Sequence, residues 1–266
     1  MNRMMLVLLA AATVLTTGCA MDANHAVTAQ AVPYKDGPTS LEGYLAYPAD
    51  ASGPRPLVLV VHEWWGLNDY AKGRARQLAE LGYVAFAVDM YGKGVLAKDP
   101  ATAGKLAGQF KSDRPAMRRR IIAALDAVKN DPHVDNKRVA AIGYCFGGTV
   151  VLELARSGAD IRGVVSFHGG LDTPSPADGR NIKAKVLVCT GADDKAVPTS
   201  QIAALEDEMQ PTNVDYEINI YGGAVHAFTN PAYAGADPAK NVAYNAAADH
   251  RSWQAMRNFL DEIFGQ

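Results

Sequence analysis

The chain has 266 residues, 48% of them hydrophobic and 20% charged, with a formal net charge of −2. That balance suits a globular protein with a large core and excludes a disordered chain. No basic patch offers a footprint for nucleic acid, and the Arg118-Arg119-Arg120 run reads as the solvated face of a helix.

In chain order, the first segment stands outside the fold. A short basic head, Met1-Asn2-Arg3, precedes an apolar run from Leu6 to Leu15. The run is too short to span a bilayer as a permanent helix and has the form of a signal peptide. It ends in Leu15-Thr16-Thr17-Gly18-Cys19, which resembles the lipobox of bacterial lipoproteins, with Thr16 where a larger aliphatic residue is usual. The resemblance implies lipidation of Cys19 and a periplasmic protein held to a membrane only through that anchor. Ala20 after the cysteine favours the outer membrane. Plain cleavage after Ala20 is the alternative, since Gly18-Cys19-Ala20 also supplies small residues; either route exports the chain. The expected layout is a signal peptide over 1–19, a polar tether over 20–33 and one domain over 34–266.

Leu41 to Tyr47 alternates as an antiparallel edge strand does, whereas Leu57 to Val61 is continuously apolar, as in a strand buried on both faces. Asn68 is placed to cap a helix running to about Leu81, where Gly82 stops it, and Tyr83 to Val88 is the next buried strand. Helices follow near 101–110 and 113–130, the second with Ser112 as cap and Pro115 in its first turn. Strands over 138–142, 161–167, 185–190 and 213–220 alternate with helices over 146–157 and 199–209. A long closing helix lies within 237–264. This alternation predicts an α/β fold with a mostly parallel sheet covered on both faces. No internal repeat or second domain is visible.

The chemistry centres on Gly143-Tyr144-Cys145-Phe146-Gly147-Gly148, where a strand becomes a helix. This is the setting of a nucleophile elbow with cysteine in place of serine. The tight turn leaves no room for side chains beside it, hence glycine, and the helix N-terminus favours a thiolate. The amide N–H of Phe146 then points where an oxyanion develops. A buried cysteine among packing glycines is the other reading of this segment alone. Downstream, Gly191 to Pro198 follows one strand and carries Asp193 and Asp194; Tyr221 to Phe228 follows the next and carries His226. Nucleophile, acid and histidine therefore come in the order this architecture uses, each at a strand end facing one rim. Asp194, just before the Val197-Pro198 turn, is the preferred acid, with Asp193 as the alternative. His62-Glu63-Trp64-Trp65-Gly66 directly follows the strand ending at Val61, which assigns the second oxyanion N–H to Trp64. Trp64 and Trp65 are either walls of a pocket for an apolar acyl group or packing residues.

These motifs together resemble the dienelactone hydrolase family of α/β-hydrolases. The resemblance covers about Leu41 to Phe264 and rests on His62–Asn68, Val88–Gly94, Gly143–Gly148, Gly191–Pro198 and Gly222–Phe228. It implies an α/β-hydrolase fold and a triad of Cys145, His226 and Asp194. It also matches Glu63 to a glutamate that helps generate the thiolate when substrate arrives, and Tyr91 to a tyrosine near the site. The expected activity is hydrolysis of a carboxylic ester, thioester or lactone through a thioester acyl-enzyme. One departure matters. Family members that cleave dienelactone grip its carboxylate with arginines, and the corresponding positions here are Asn230 and Leu106, with Lys105 adjacent. Without a bidentate clamp the dienelactone itself is not the expected substrate. An envelope binding or assembly protein on a hydrolase fold, and an acyltransferase, are the alternatives.

His168 ends the strand over 161–167 and is read as a bystander; His25, His133 and His250 have no chemical context. No spacing suggests a metal, no G-x-G-x-x-G follows a strand, and no cofactor is expected. Cys189 lies two strands from the elbow, too far for a disulfide, so both thiols are expected to be free. The expected partner is a small ester or lactone.

Overall fold

The computed structural model describes residues 25–265. The signal-peptide and lipidation expectations, Cys19 included, fall outside the described residues. Eight strands form one sheet in the order β1-β2-β4-β3-β5-β6-β7-β8. β3 (Arg55–Val61), β4 (Val84–Val88), β5 (Val134–Tyr144), β6 (Gly163–Phe167), β7 (Lys185–Gly191) and β8 (Tyr216–Tyr221) are mutually parallel. β1 (Val27–Asp36) and β2 (Thr39–Pro48) add an antiparallel hairpin to the β4 side.

The continuous apolar runs are explained by cover on both faces. Along β3, Leu57, Leu59 and Val61 enter one core, while Val58 and Val60 enter the other, the period-two alternation of a strand. The first core is closed by α2 (Pro100–Ser112), α3 (Arg114–Val128), α4 (Phe146–Arg156) and α5 (Thr199–Met209). α1 (Asp69–Glu80) and α6 (Ala246–Phe264) close the second. Asn68 caps α1 as expected, its side chain accepting from the Ala71 N–H.

Three expectations are corrected. The segment read as a tether to residue 33 contains β1, which runs from Val27 to Asp36 and displaces β2 from the edge of the sheet. Its residues are mostly exposed, so it carries little hydrophobic signal and is held by pairing along the full length of β2. The cap of α3 is Asp113, not Ser112, because the Asp113 side chain reaches the Ala116 N–H while the Ser112 hydroxyl donates back to the Gly108 carbonyl. Arg120 is buried, not solvated. It donates to Asp36 at 2.8 Å and to the Met90 carbonyl at 2.6 Å, and stacks over Phe110. Asp36 arrives with β1, and a reading that lacks β1 has no partner for that arginine. Arg118 spans Glu153 and Asp178, each at 2.7 Å, and Arg119 alone keeps a mostly exposed side chain.

Candidate active site

The carboxyl ends of β3, β5, β6, β7 and β8 lead directly into His62, Cys145, His168, Asp194 and His226, so one rim gathers every candidate group. Cys145 links β5 to α4 with φ 54° and ψ −114°, a strained turn for a residue with a side chain. The glycines around it are compelled by contact. A Cβ on Gly143 would lie 2.0 Å from the Gly147 carbonyl oxygen, and one on Gly147 would lie 2.3 Å from that of Val61. The elbow is therefore pressed onto the end of β3, the strand that delivers Glu63 and Trp64.

His226 Nε2 lies 3.1 Å from Cys145 Sγ, and His226 Nδ1 lies 2.8 Å from Asp194 Oδ2. The sequence left Asp193 and Asp194 open; Asp194 is buried against the histidine, while Asp193 faces solvent. The other oxygen of Asp194 accepts from the Ala196 N–H at 2.8 Å and from Asn241 Nδ2 at 3.3 Å. Burial opposes a charge on His226, but the facing Cys145 sulfur and the Asp194 carboxylate prevail and raise its pKa to about 10. Cys145 and Cys189 are both free thiols, and Cys189 is fully buried.

Cys145 and His226 line a cavity of about 360 Å³ together with Glu63, Trp64, Phe146, Val197 and Tyr233. Among the described residues, no group accepts from the amide N–H of Phe146 or of Trp64. The Trp64 strap is fixed from behind. Tyr91 donates to the Trp64 carbonyl at 3.1 Å and packs against Phe146. His62 takes the Met90 N–H at Nε2, its other nitrogen facing the Glu63 carbonyl, and burial holds it neutral with a pKa near 4. Trp65 differs from its expected role as a pocket wall. It is not among the lining residues; its indole N–H donates to the Tyr233 hydroxyl at 2.9 Å, so it supports a wall residue instead.

Glu63 is 2% exposed and accepts from Asn230 Nδ2 at 2.7 Å. Burial raises its pKa to about 7, against the lowering effects of Asn230, His226 and Arg74. Asn230 is thus committed to a carboxylate of the protein. Leu106 and Lys105 are not among the cavity's lining residues, whereas Lys111, further along α2, is. Among the described residues no cluster of three or more His, Cys, Asp or Glu is arranged to hold a metal.

Several contributors escaped the sequence. Tyr233, Asn241 and Val242 come from the segment between β8 and α6, which has no hydrophobic period to read. His168, expected as a bystander, is fully buried, and its Nδ1 accepts the Cys145 amide N–H at 3.1 Å. Its place at a strand end, shared with the other site groups, was the available signal.

The chain is similar in sequence and fold to known proteins. Residues 41–264 match the dienelactone hydrolase family. The chain is 31% identical over 206 residues to Protein usf of Aquifex pyrophilus, spanning 76% of this chain and 87% of that protein. The crystal structure of a dienelactone hydrolase-like promiscuous phosphotriesterase from metagenomic libraries superposes with a TM-score of 0.84 at 44% identity. The match covers 90% of this chain and 99% of that one. At 16% identity, Porphyromonas gingivalis dipeptidyl peptidase 4 shares the fold alone, with a TM-score of 0.68 over 90% of this chain and 36% of that one. With its mostly parallel eight-stranded sheet and its motifs at one rim, the chain has the α/β-hydrolase fold and belongs to the dienelactone hydrolase family.

Proposed function

We propose that the protein hydrolyses a carboxylic ester, thioester or lactone through a thioester acyl-enzyme on Cys145. The observation that carries this is the continuous line from Asp194 through His226 to Cys145, at 2.8 and 3.1 Å, opening into a cavity. Sγ attacks the substrate carbonyl, and the resulting oxyanion accepts from the amide N–H groups of Phe146 and Trp64. Collapse expels the alcohol or thiol, which takes a proton from His226 Nε2. His226 then removes a proton from water, the hydroxide attacks the thioester, and the carboxylic acid leaves as sulfur recovers its electron pair. Asp194 holds the Nδ1–H tautomer of His226 and stabilises its positive charge. Glu63, its pKa raised to about 7, takes the thiol proton when substrate arrives and passes it to His226 Nε2, and this is the proton that the leaving group later receives.

The aromatic wall of Trp64, Phe146 and Tyr233 suits an apolar acyl or aryl group. The two positions that would carry an arginine clamp are Asn230, committed to Glu63, and Leu106. This favours a substrate other than the dienelactone. A Cys145→Ala variant is expected to lose at least about 10³-fold in kcat/KM on an activated aryl ester. Mass analysis of wild-type protein during turnover should find the acyl group on the Cys145 peptide. Unchanged turnover in the variant would refute Cys145 as the nucleophile, whereas a wild-type protein with no turnover and no acyl group on Cys145 would return the chain to a binding or assembly role. Acyl transfer to an added alcohol in preference to water would make it an acyltransferase.

We further propose export and lipid attachment at Cys19, supported by the apolar run before Gly18-Cys19. The mass of the mature N-terminal peptide tests this: diacylglyceryl on Cys19 is the expected result, and an unmodified N-terminus at Met21 supports plain cleavage instead.

A further inference from the structure

Among the described residues, four non-glycine residues have positive φ: Cys145 at 54°, His168 at 40°, Ala227 at 58° and Asn241 at 64°. All four lie in the site or against it. Cys145 is the elbow, Ala227 follows His226, Asn241 touches Asp194, and His168 is bonded to the elbow backbone. Strained residues persist where their surroundings over-determine them. For His168 the surroundings are legible bond by bond.

The His168 amide donates to the Cys189 carbonyl at 2.8 Å, which fixes the backbone at the end of β6. Nδ1 accepts the Cys145 N–H at 3.1 Å, a proton that Cys145 shares with the Phe167 carbonyl. Because a backbone N–H can only donate, Nε2 must carry the ring proton. Nε2 lies 2.8 Å from Thr229 Oγ1 and donates to it. The Thr229 hydroxyl then donates to the Tyr70 oxygen at 2.7 Å, and Tyr70 donates to the Thr229 carbonyl at 3.3 Å. Arg74 closes the chain, donating to that carbonyl at 2.7 Å and to Asp249 at 2.6 Å. Thr229 is three residues after His226, on the same short loop, and the rings of His168 and His226 meet edge to face at 5.3 Å.

We propose that His168 is a positioning residue for the reaction: through Thr229 it ties the backbone of the nucleophile to the loop bearing His226, and so sets the approach of Nε2 to the sulfur. The inference rests on Cys145 and His226 acting as the reacting pair. The tie must be neutral to work. A second proton on the ring would displace the Cys145 N–H and set a positive charge against His226. The groups facing the ring are His226 and Cys145 at the rim, Tyr144 on β5, and Tyr70 and Arg74 on α1. Burial, together with the charges of His226 and Arg74, holds the His168 pKa well below its ordinary value.

The test uses the full chain and three variants. Thr229→Val removes the acceptor of the tie at nearly constant shape, Thr229→Ser keeps the hydroxyl, and His168→Asn keeps an acceptor for the Cys145 N–H while losing the reach to Thr229. The readouts are kcat and KM on an activated aryl ester, and iodoacetamide alkylation against pH, followed by mass spectrometry on the Cys145 peptide. Thr229→Val and His168→Asn are expected to lower kcat about 10- to 100-fold with little change in KM, the scale on which small misplacements act. Cys145 alkylation at pH 7 should slow about tenfold in both, as imidazole contact with the sulfur loosens. Thr229→Ser should stay within about twofold of wild type. A folded Thr229→Val or His168→Asn variant with wild-type kcat and alkylation profile overturns the proposal. Should one of them fail to fold, the other decides. Activity persisting in Cys145→Ala would instead overturn the assignment of the nucleophile itself.

Discussion

Beneath α4, Arg156 is fully buried, and each of its charged contacts is matched. It meets Glu208 through Nε at 2.8 Å and Nη2 at 2.7 Å, and Glu153 through Nη1 at 3.2 Å; it also donates to the Leu171 carbonyl at 3.0 Å. At the rim, Glu63 is almost as deeply buried but faces the neutral amide of Asn230. The first arrangement pairs every charge with its opposite. The second leaves a carboxyl group balanced near neutrality, with a pKa of about 7. A buried charge bonded to ionic partners is matched in place; one bonded to a neutral amide is left to titrate beside the Cys145 sulfur.

The larger expected effect comes from breaking the matched cluster. An Arg156→Met substitution removes the cation between Glu153 and Glu208; Glu153 keeps Arg118, but the buried Glu208 carboxylate loses its ionic partner. Stability should fall by about 3–5 kcal/mol, the usual consequence of orphaning a buried charge. Urea unfolding at pH 7 measures it. The kcat of the folded fraction should stay near that of wild type, since Arg156 bonds to none of Cys145, His226 and Asp194. A loss under about 1 kcal/mol would show that the cluster is dispensable and remove one side of the contrast.

The two clusters were unequally visible in the sequence. Cys145, Asp194 and His226 were found because each follows a strand and comes in the order the architecture uses. Glu63 was found by resemblance, through its place after β3. The support around them was hidden. Asn230, Thr229 and Asn241 come from loops without period, and their roles depend on which side chains meet across more than thirty residues of chain. Arg156 and Glu153 read as an ordinary i,i+3 pair on a helix, and nothing local says that the helix is covered on that side as well. β1 was missed for the same reason: its exposed residues lack alternation, and only pairing with β2 defines it.

The smaller effect tests the unmatched side and has a definite sign in pH. The folded-state pKa of Glu63, about 7, lies above its ordinary 4.5. The native protein therefore holds this proton more tightly than the unfolded chain does. Stability should fall as pH rises from about 4.5 to about 7 and level off above that. The full difference is on the order of 3 kcal/mol, from 1.36 kcal/mol per pKa unit. Glu63→Gln keeps an oxygen for Asn230 to donate to but carries no charge at any pH. The variant should match wild type near pH 4.5 and exceed its stability by up to that amount at pH 8. At the same time kcat/KM on an activated aryl ester should drop about tenfold, and the limb of the pH profile near 7 should vanish. Arg156→Met unfolds the protein more easily and spares the chemistry of what remains folded; Glu63→Gln does the reverse. Parallel stability curves for Glu63→Gln and wild type between pH 4.5 and 8 would mean that Glu63 stays ionised throughout, and that Asn230, with His226 and Arg74 nearby, stabilises its charge as well as ionic partners do.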